Sequence, residues 1–310
     1  MGIVVLGAVF VDIKGYPLEH FLPTGRNVGD LEYIHGGVSR NVVEDIANVE
    51  LRPTFVSLVD NSGNGADVIR KLKNHKVNTD YMRVTPDGMG TYMAIFDNSG
   101  DVYASISKRP NLRPIADTLD ECGDEIFKNA DSIVLEIDMD KVAVNRTFKY
   151  AKKYNKKVFA VVANMGIAIE RRDFMQSIDC FICNQGEAGL LFTEDYSEKT
   201  PEEMVDILSD KVQKAKIPSM IVTMGGDGAV YADMHGDKGY VPAQKVHVKD
   251  TTGAGDAFCA GVSIGLTYGK NLKEACEIGT RLAASVIVTS ENVCPRFLPS
   301  ELGLDVEVTE

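Results

Sequence analysis

Residues 250–258 read DTTGAGDAF and run straight into an apolar stretch that can begin a helix. Gly253, Ala254 and Gly255 let backbone amides approach a ligand with little side-chain interference, and a helix start adds a positive dipole end. Together they make an anion site. Asp256 follows at once, in the first helical turn. An acidic residue there either caps the helix, contributing about 0.3–1 kcal/mol, or orients a reacting hydroxyl. The dipole favours the ionised carboxylate, so Asp256 is expected to be a weak base. Phosphoryl transfer tolerates this, because its transition state is loose and the attacking hydroxyl gives up its proton late. An anion hole beside a carboxylate fits a kinase acting on an alcohol. The stretch is not a dinucleotide fingerprint, since Phe258 stands where GxGxxG needs its third glycine, and no GxxxxGK followed by Ser or Thr occurs anywhere in the chain.

The surrounding pattern tells which elements must carry these residues. Apolar runs of strand length lie at 3–11, 54–59, 132–137, 157–163, 180–183 and 219–224. Between them fall amphipathic stretches at 39–51, 64–76, 118–129, 141–155 and 201–215, with two more starting at Ala254 and Leu272. Continuous β-branched runs alternating with helices predict a doubly wound α/β domain, a mostly parallel sheet covered on both faces. One segment departs from this: TYMAIFDNSGDVYASIS (91–107) reads as two period-two strands around the turn DNSGD. With the extended stretch 14–34 it would form a small β-sheet, a lid over the carboxyl edge where open α/β sheets bind ligands, or else a plain surface hairpin. No repeat or linker divides the chain, so residues 1–310 are expected to be one domain, its lid formed by about 13–35 and 90–108.

Composition narrows the partners. The 310 residues are 44% hydrophobic and 25% charged, ordinary globular values, and the formal net charge of −12 argues against nucleic acid or an anionic membrane as partner. The longest apolar runs are too short or too glycine-rich to span a bilayer, and no signal-peptide pattern follows Met1. A soluble, cytoplasmic protein is expected. Of six cysteines only Cys180 and Cys183 form a CxxC, inside a strand-like run where positions i and i+3 face opposite ways. They are read as buried apolar residues.

At this point the residues carry a resemblance. DTTGAGDAFCAG (250–261) is similar to the C-terminal signature of the ribokinase-like, or PfkB, family of sugar and nucleoside kinases. Further matches occur in order: GAVFVD ending at Asp12, GGVSRNVVEDIA (36–47), NQGE (184–187) and VTMGGDG (222–228). The resemblance implies a ribokinase-like α/β core with a β lid, ATP as donor, Mg²⁺, and in many members a stimulating monovalent cation. It makes Asp256 the catalytic base and the amides of Gly253, Ala254 and Gly255 the hole for the transferred phosphoryl. It assigns Asn184 and Glu187 to Mg²⁺ and phosphates through water, and Thr223, Gly225 and Gly228 to the nucleotide site. For the acceptor it implies Asp12, Gly36, Gly37 and Asn41, with Asp138 after the VLEI strand as a further candidate. Asp250 and Thr252 match the K⁺ site, whose remaining carbonyls would come from Ile287, Ser290 and Asn292; Arg296 stands where several relatives carry a small polar residue and could oppose or replace the ion.

The acceptor itself is read from finer likeness. VDIKG (11–15), TGRNVG (24–29) and especially GGVSRN resemble pseudouridine kinases most, which implies phosphorylation of the pseudouridine 5′-hydroxyl. Arg40 then belongs to the motif, either as a ligand residue or as a solvated residue at a helix start. SISKRPNL departs from that group, and Lys108 and Arg109 could instead serve a phosphorylated sugar, so ribokinase- or fructokinase-type acceptors stay open. A non-catalytic ligand sensor on the same fold would show loss of the base or of the anion hole, and neither is lost. A homodimer through the lid is also expected.

Overall fold

The β-branched runs become the centre of a nine-stranded sheet in the computed structural model, which describes residues 2–306. Its strands are β1 (Ile3–Leu6), β4 (Thr54–Val59), β5 (Met82–Val84), β8 (Ser132–Glu136), β9 (Val158–Val161), β10 (Cys180–Asn184), β11 (Ser219–Thr223), β12 (Ala229–Asp233) and β13 (Lys238–Val241). They lie in the order β13-β12-β11-β10-β9-β8-β1-β4-β5. Every pairing from β11 to β5 is parallel, and β12 and β13 add an antiparallel edge.

Period-two alternation sends Val4 and Leu6 to one face of this sheet and Ile3 and Val5 to the other, each into its own apolar core. The first core is covered by α3 (Pro114–Asn129), α4 (Lys141–Lys153) and α7 (Pro201–Ala215); the second by α1 (Val38–Asn48), α2 (Gly63–Asn74), α8 (Ala254–Thr267) and α9 (Leu272–Ile287). Two short helices, α5 (Met165–Ala168) and α6 (Gln185–Phe192), follow β9 and β10. Cys180 and Cys183 sit in opposite cores, and burial raises both thiols' pKa, as the strand geometry of the CxxC requires.

A second sheet stands apart, in the order β3-β2-β6-β7: β2 (Phe10–Pro17), β3 (Gly29–Gly36), β6 (Gly90–Phe96) and β7 (Val102–Lys108). β6 and β7 form the expected hairpin, closed by Asp97 N–H donating to the Asp101 carbonyl at 2.9 Å. The apolar run 3–11 is not one strand. It breaks over residues 7–9, where the chain leaves the main sheet and enters the second at Phe10. That break puts Asp12 in the small sheet, above the carboxyl ends of the large one.

Candidate active site

Helix α8 begins without a side-chain cap. Gly253 occupies the cap position with φ 82°, a left-handed conformation that favours glycine, and a Cβ there would lie 2.1 Å from the Asn292 carbonyl oxygen. The Ala254 amide, expected in the anion hole, instead donates to the Thr251 carbonyl at 3.2 Å. The amides of Gly255 and Asp256 have no hydrogen-bond acceptor among the described residues. Of the three amides expected to form the hole, Ala254 is the one taken up by the protein itself among the described residues. Around Gly255 the space is open: a Cβ there meets nothing within 4 Å.

Asp256 is half-buried, and Asn41 Nδ2 donates to its Oδ2 at 2.6 Å. Burial is the main cause lifting its pKa to about 6, with the charges of Glu187 and Asp12 adding to it and the Asn41 bond and Arg40 opposing. The dipole does not win here; desolvation makes this carboxylate a stronger base than its place at a helix start implies. Asn41 is not a helix cap, because Gly37 holds that position and Asn41 lies a turn inside α1. Its Oδ1 is buried with no hydrogen-bond partner among the described residues.

Asp12 reaches the same region from β2. A Cβ on Gly36 would lie 2.5 Å from Asp12 Oδ2, so the first glycine of the pair exists to let this carboxylate lie against the backbone. The second is needed for its φ of 99°. Both glycines, expected on the acceptor side, are thus also required by the protein's own packing. Burial raises the Asp12 pKa against the lowering charges of Arg40 and Lys14.

Two cavities flank the start of α8. One of about 230 Å³ is lined by Asn184, Glu187, Thr223, Gly255 and Asp256; the other, about 430 Å³, by Gly225, Gly228, Lys245, Val246, Phe258 and Ala284 among others. Thr223 and Gly255 belong to both, so the cavities meet above the unpartnered amides. Parallel pairing sets Asn184 beside Thr223 at the carboxyl ends of β10 and β11. Asn184 and Glu187 form a reciprocal capping box on α6, Glu187 N–H to Asn184 Oδ1 at 2.9 Å and Asn184 N–H to Glu187 Oε2 at 2.8 Å. Burial raises the Glu187 pKa, which a bound cation would reverse. Gly225 (φ 56°) and Gly228 (φ 109°) are the turn residues between β11 and β12. In the larger cavity the Thr280 hydroxyl is buried without a partner, and the floor beside Gly225 and Gly226 has room a Cβ would fill. These features suit a bound nucleotide.

The segment 250–253 packs on the loop after α9. Lys249 N–H donates to the Ile287 carbonyl at 2.7 Å, the Asn292 carbonyl presses on Gly253, and Asp250 Oδ1 accepts from Thr252 N–H at 2.8 Å. Ser290 lies in the same loop. Arg296 does not approach it as a substitute cation; its guanidinium is paired with Glu50 and the side chain is largely exposed.

Lys108 and Arg109, offered as a phosphate site, are paired with carboxylates: Lys108 with Asp87 at 3.3 Å and Arg109 with Asp138 Oδ2 at 3.0 Å. Asp138 also accepts from Ala163 N–H at 2.9 Å, so it is a buried structural tie at the rim of a cavity of about 190 Å³ that Phe10, Met139 and Ile167 help line. One residue was missed. Glu136, at the end of β8 and two positions before Asp138, is fully buried and accepts from Ala8 N–H at 3.0 Å and Ser39 Oγ at 2.7 Å; burial and the Asp138 charge push its pKa up. It fixes the start of α1 against the β1–β2 crossover, and its place at a strand's carboxyl end was the available signal. Arg40, expected either as a ligand residue or as a solvated residue at a helix start, lines neither cavity beside α8 and is fully buried.

Comparison with known proteins agrees with this geometry. A family model described as "pfkB family carbohydrate kinase" matches residues 2–299. The guanosine-inosine kinase of Exiguobacterium acetylicum is 33% identical over 292 residues, covering 94% of this chain and 95% of that protein. The pseudouridine kinase of Escherichia coli is 26% identical, covering 84% of this chain and 82% of that one. Among solved structures, Arabidopsis thaliana ribokinase complexed with ribose and ATP shares the fold at a TM-score of 0.81 and 19% identity, covering 98% of this chain and 99% of that chain.

Proposed function

The chain belongs to the pfkB family of carbohydrate kinases and is a phosphotransferase with an alcohol acceptor, and from this premise we propose that it phosphorylates the 5′-hydroxyl of a nucleoside. The observation that carries the reading is the Asn41–Asp256 bond beside the unpartnered amides of Gly255 and Asp256, with Asp12 close by. Members of the family take ATP, generally with Mg²⁺. ATP lies in the larger cavity with its terminal phosphate over Gly255, and the acceptor enters from the side of Asp12 and Asn41. Asp256 orients the attacking hydroxyl and takes its proton; the amides stabilise charge on the transferred group. Mg²⁺, when bound, neutralises phosphate charge, and Glu187 and Asn184 are the residues placed to hold it through water. A K⁺ ion at Asp250, Thr252 and the carbonyls of Ile287, Ser290 and Asn292 would steady the loop under Gly253. The small sheet acts as a lid, and the whole chain works as one domain.

Among nucleosides, guanosine and inosine come first, on the strength of the relative at 33% identity over nearly the whole chain. Pseudouridine, favoured by the GGVSRN motif and by the relative at 26%, is the second reading. We assign the base to the 190 Å³ cavity beside Phe10 and Met139, which a free pentose would leave unfilled. The test is ATP turnover with inosine, guanosine, pseudouridine, uridine, ribose and fructose. We expect kcat/KM to rank the 6-oxopurine nucleosides first and free sugars last. Pseudouridine at the head reverses the order of the two readings, and ribose at the head removes the nucleoside proposal.

A further inference from the structure

Arg40 neighbours Asn41, yet its guanidinium turns away from the cavities and is completely enclosed. Nη1 donates to Glu44 Oε2 at 2.6 Å, one turn along α1, while Nη2 donates to the carbonyl of His35 at the end of β3. Nε lies 3.5 Å from the next carbonyl, that of Gly36. The His35 carbonyl receives a second donor, Asn292 Nδ2 at 2.8 Å, from the loop whose own carbonyl packs on Gly253. Glu44 is held in turn by Lys71 of α2 at 3.1 Å, with His75 at 3.7 Å.

A buried ion pair of this kind is a poor source of stability, because well-packed apolar side chains often serve as well. Its placement is more telling. One guanidinium joins the last residues of a lid strand to the helix that carries Asn41, and shares a carbonyl with the loop under the anion hole. Gly36, whose backbone Asp12 lies against, is inside this junction.

We propose that Arg40 is a positioning residue for phosphoryl transfer: it locks β3 to α1 so that Asp12 and Asn41 meet the acceptor in one fixed geometry relative to Asp256. The proposal predicts a defect confined to the acceptor. The charged and titratable groups around Asp256 are Arg40 and Asp45 from α1, Asp12 from β2, Glu187 from α6 and Cys259 one turn along α8; Arg40 supplies the opposing positive charge.

The experiment compares R40M/E44Q, which removes both charges so that neither is left unpaired, with R40K. The probe is inosine with ATP, or ribose if wild type turns over only free sugars, an outcome that sinks the nucleoside reading without touching this one. We expect R40M/E44Q to fold and melt cooperatively, with acceptor kcat/KM reduced about 10²-fold, the scale of a misplacement near 1 Å, and ATP KM within about twofold of wild type. Its acid limb should move to higher pH with the loss of positive charge. R40K should return the acid limb towards wild type but not the acceptor KM, because an ammonium cannot span a carboxylate and two carbonyls as a planar fork does. A folded R40M/E44Q with wild-type acceptor kinetics, or with ATP and acceptor KM raised equally, overturns the proposal and leaves Arg40 a packing residue.

Discussion

The burial of Asp256 has consequences both for the proposed chemistry and for stability. Its carboxyl keeps its proton up to about pH 6 in the folded chain against the ordinary value of 3.8, so between those values the folded state binds more protons than the unfolded. Stability therefore falls as pH rises through that window, and at neutral pH the buried charge is a standing cost. Asp256→Asn should lower turnover by at least about 10²-fold while raising the melting temperature at pH 7 above wild type. In the wild type, kcat/KM should fall on acidification with a midpoint near pH 6. Normal turnover in the folded variant, or an acid limb near pH 4, would take the proton-accepting role from Asp256. Gly253 and Gly255, two residues apart, make a contrasting pair. Gly255→Val finds open space in the free protein and blocks the phosphoryl group, so it should melt like wild type and lose activity. Gly253→Ala must place a Cβ against the Asn292 carbonyl at a φ of 82°, and should lower the melting temperature itself.

At the scale of elements, the β3-β2-β6-β7 sheet supplies Asp12 but neither Asn41 nor Asp256, and the Arg109–Asp138 pair ties the end of β7 to the end of β8. Removing the tip of the hairpin, residues 96–102, should raise acceptor KM and increase ATP hydrolysis relative to transfer, because water then reaches the reacting phosphate. Unchanged coupling of hydrolysis to transfer would show that the sheet is no lid. Helices α1 and α8 must keep their mutual position for Asn41 to reach Asp256 across 215 residues of chain. They pack through the second apolar core, where Val42, Val43, Ala257 and Ala260 are buried.

Over the whole molecule, a row of exposed apolar side chains crosses one face of the small sheet, where Leu31, Tyr33, Met93 and Ile106 are exposed, Ile106 by 74%. Such a patch marks an interaction surface. A second copy of the chain is the expected occupant: sedimentation at micromolar concentration should give a dimer, and Ile106→Lys a monomer. A monomeric wild type would remove the dimer and leave the kinase assignment standing. Among the described residues no helix is long and apolar enough to cross a membrane.

The periodicity of the chain determined most of the main sheet, because a strand buried on both faces must be apolar throughout; the strand at 54–59 and the helix at 201–215 fall where that rule puts them. The edge strands β12 and β13 and the short α6 escaped it, since a hairpin of four- and five-residue strands and a two-turn helix with two glycines carry little periodic signal. The motif around Asp256 was legible because an uncapped helix start entered through a left-handed residue needs glycine there, a local demand written in consecutive letters. What the letters could not contain is anything set by distant neighbours: the desolvation that lifts Asp256 to about 6, the Thr251 carbonyl that occupies the Ala254 amide, and the burial of Arg40 between β3 and α1. Each depends on which side chains folding brings within a few ångströms, and that is decided only when residues 36–41 and 253–256 are packed against one another.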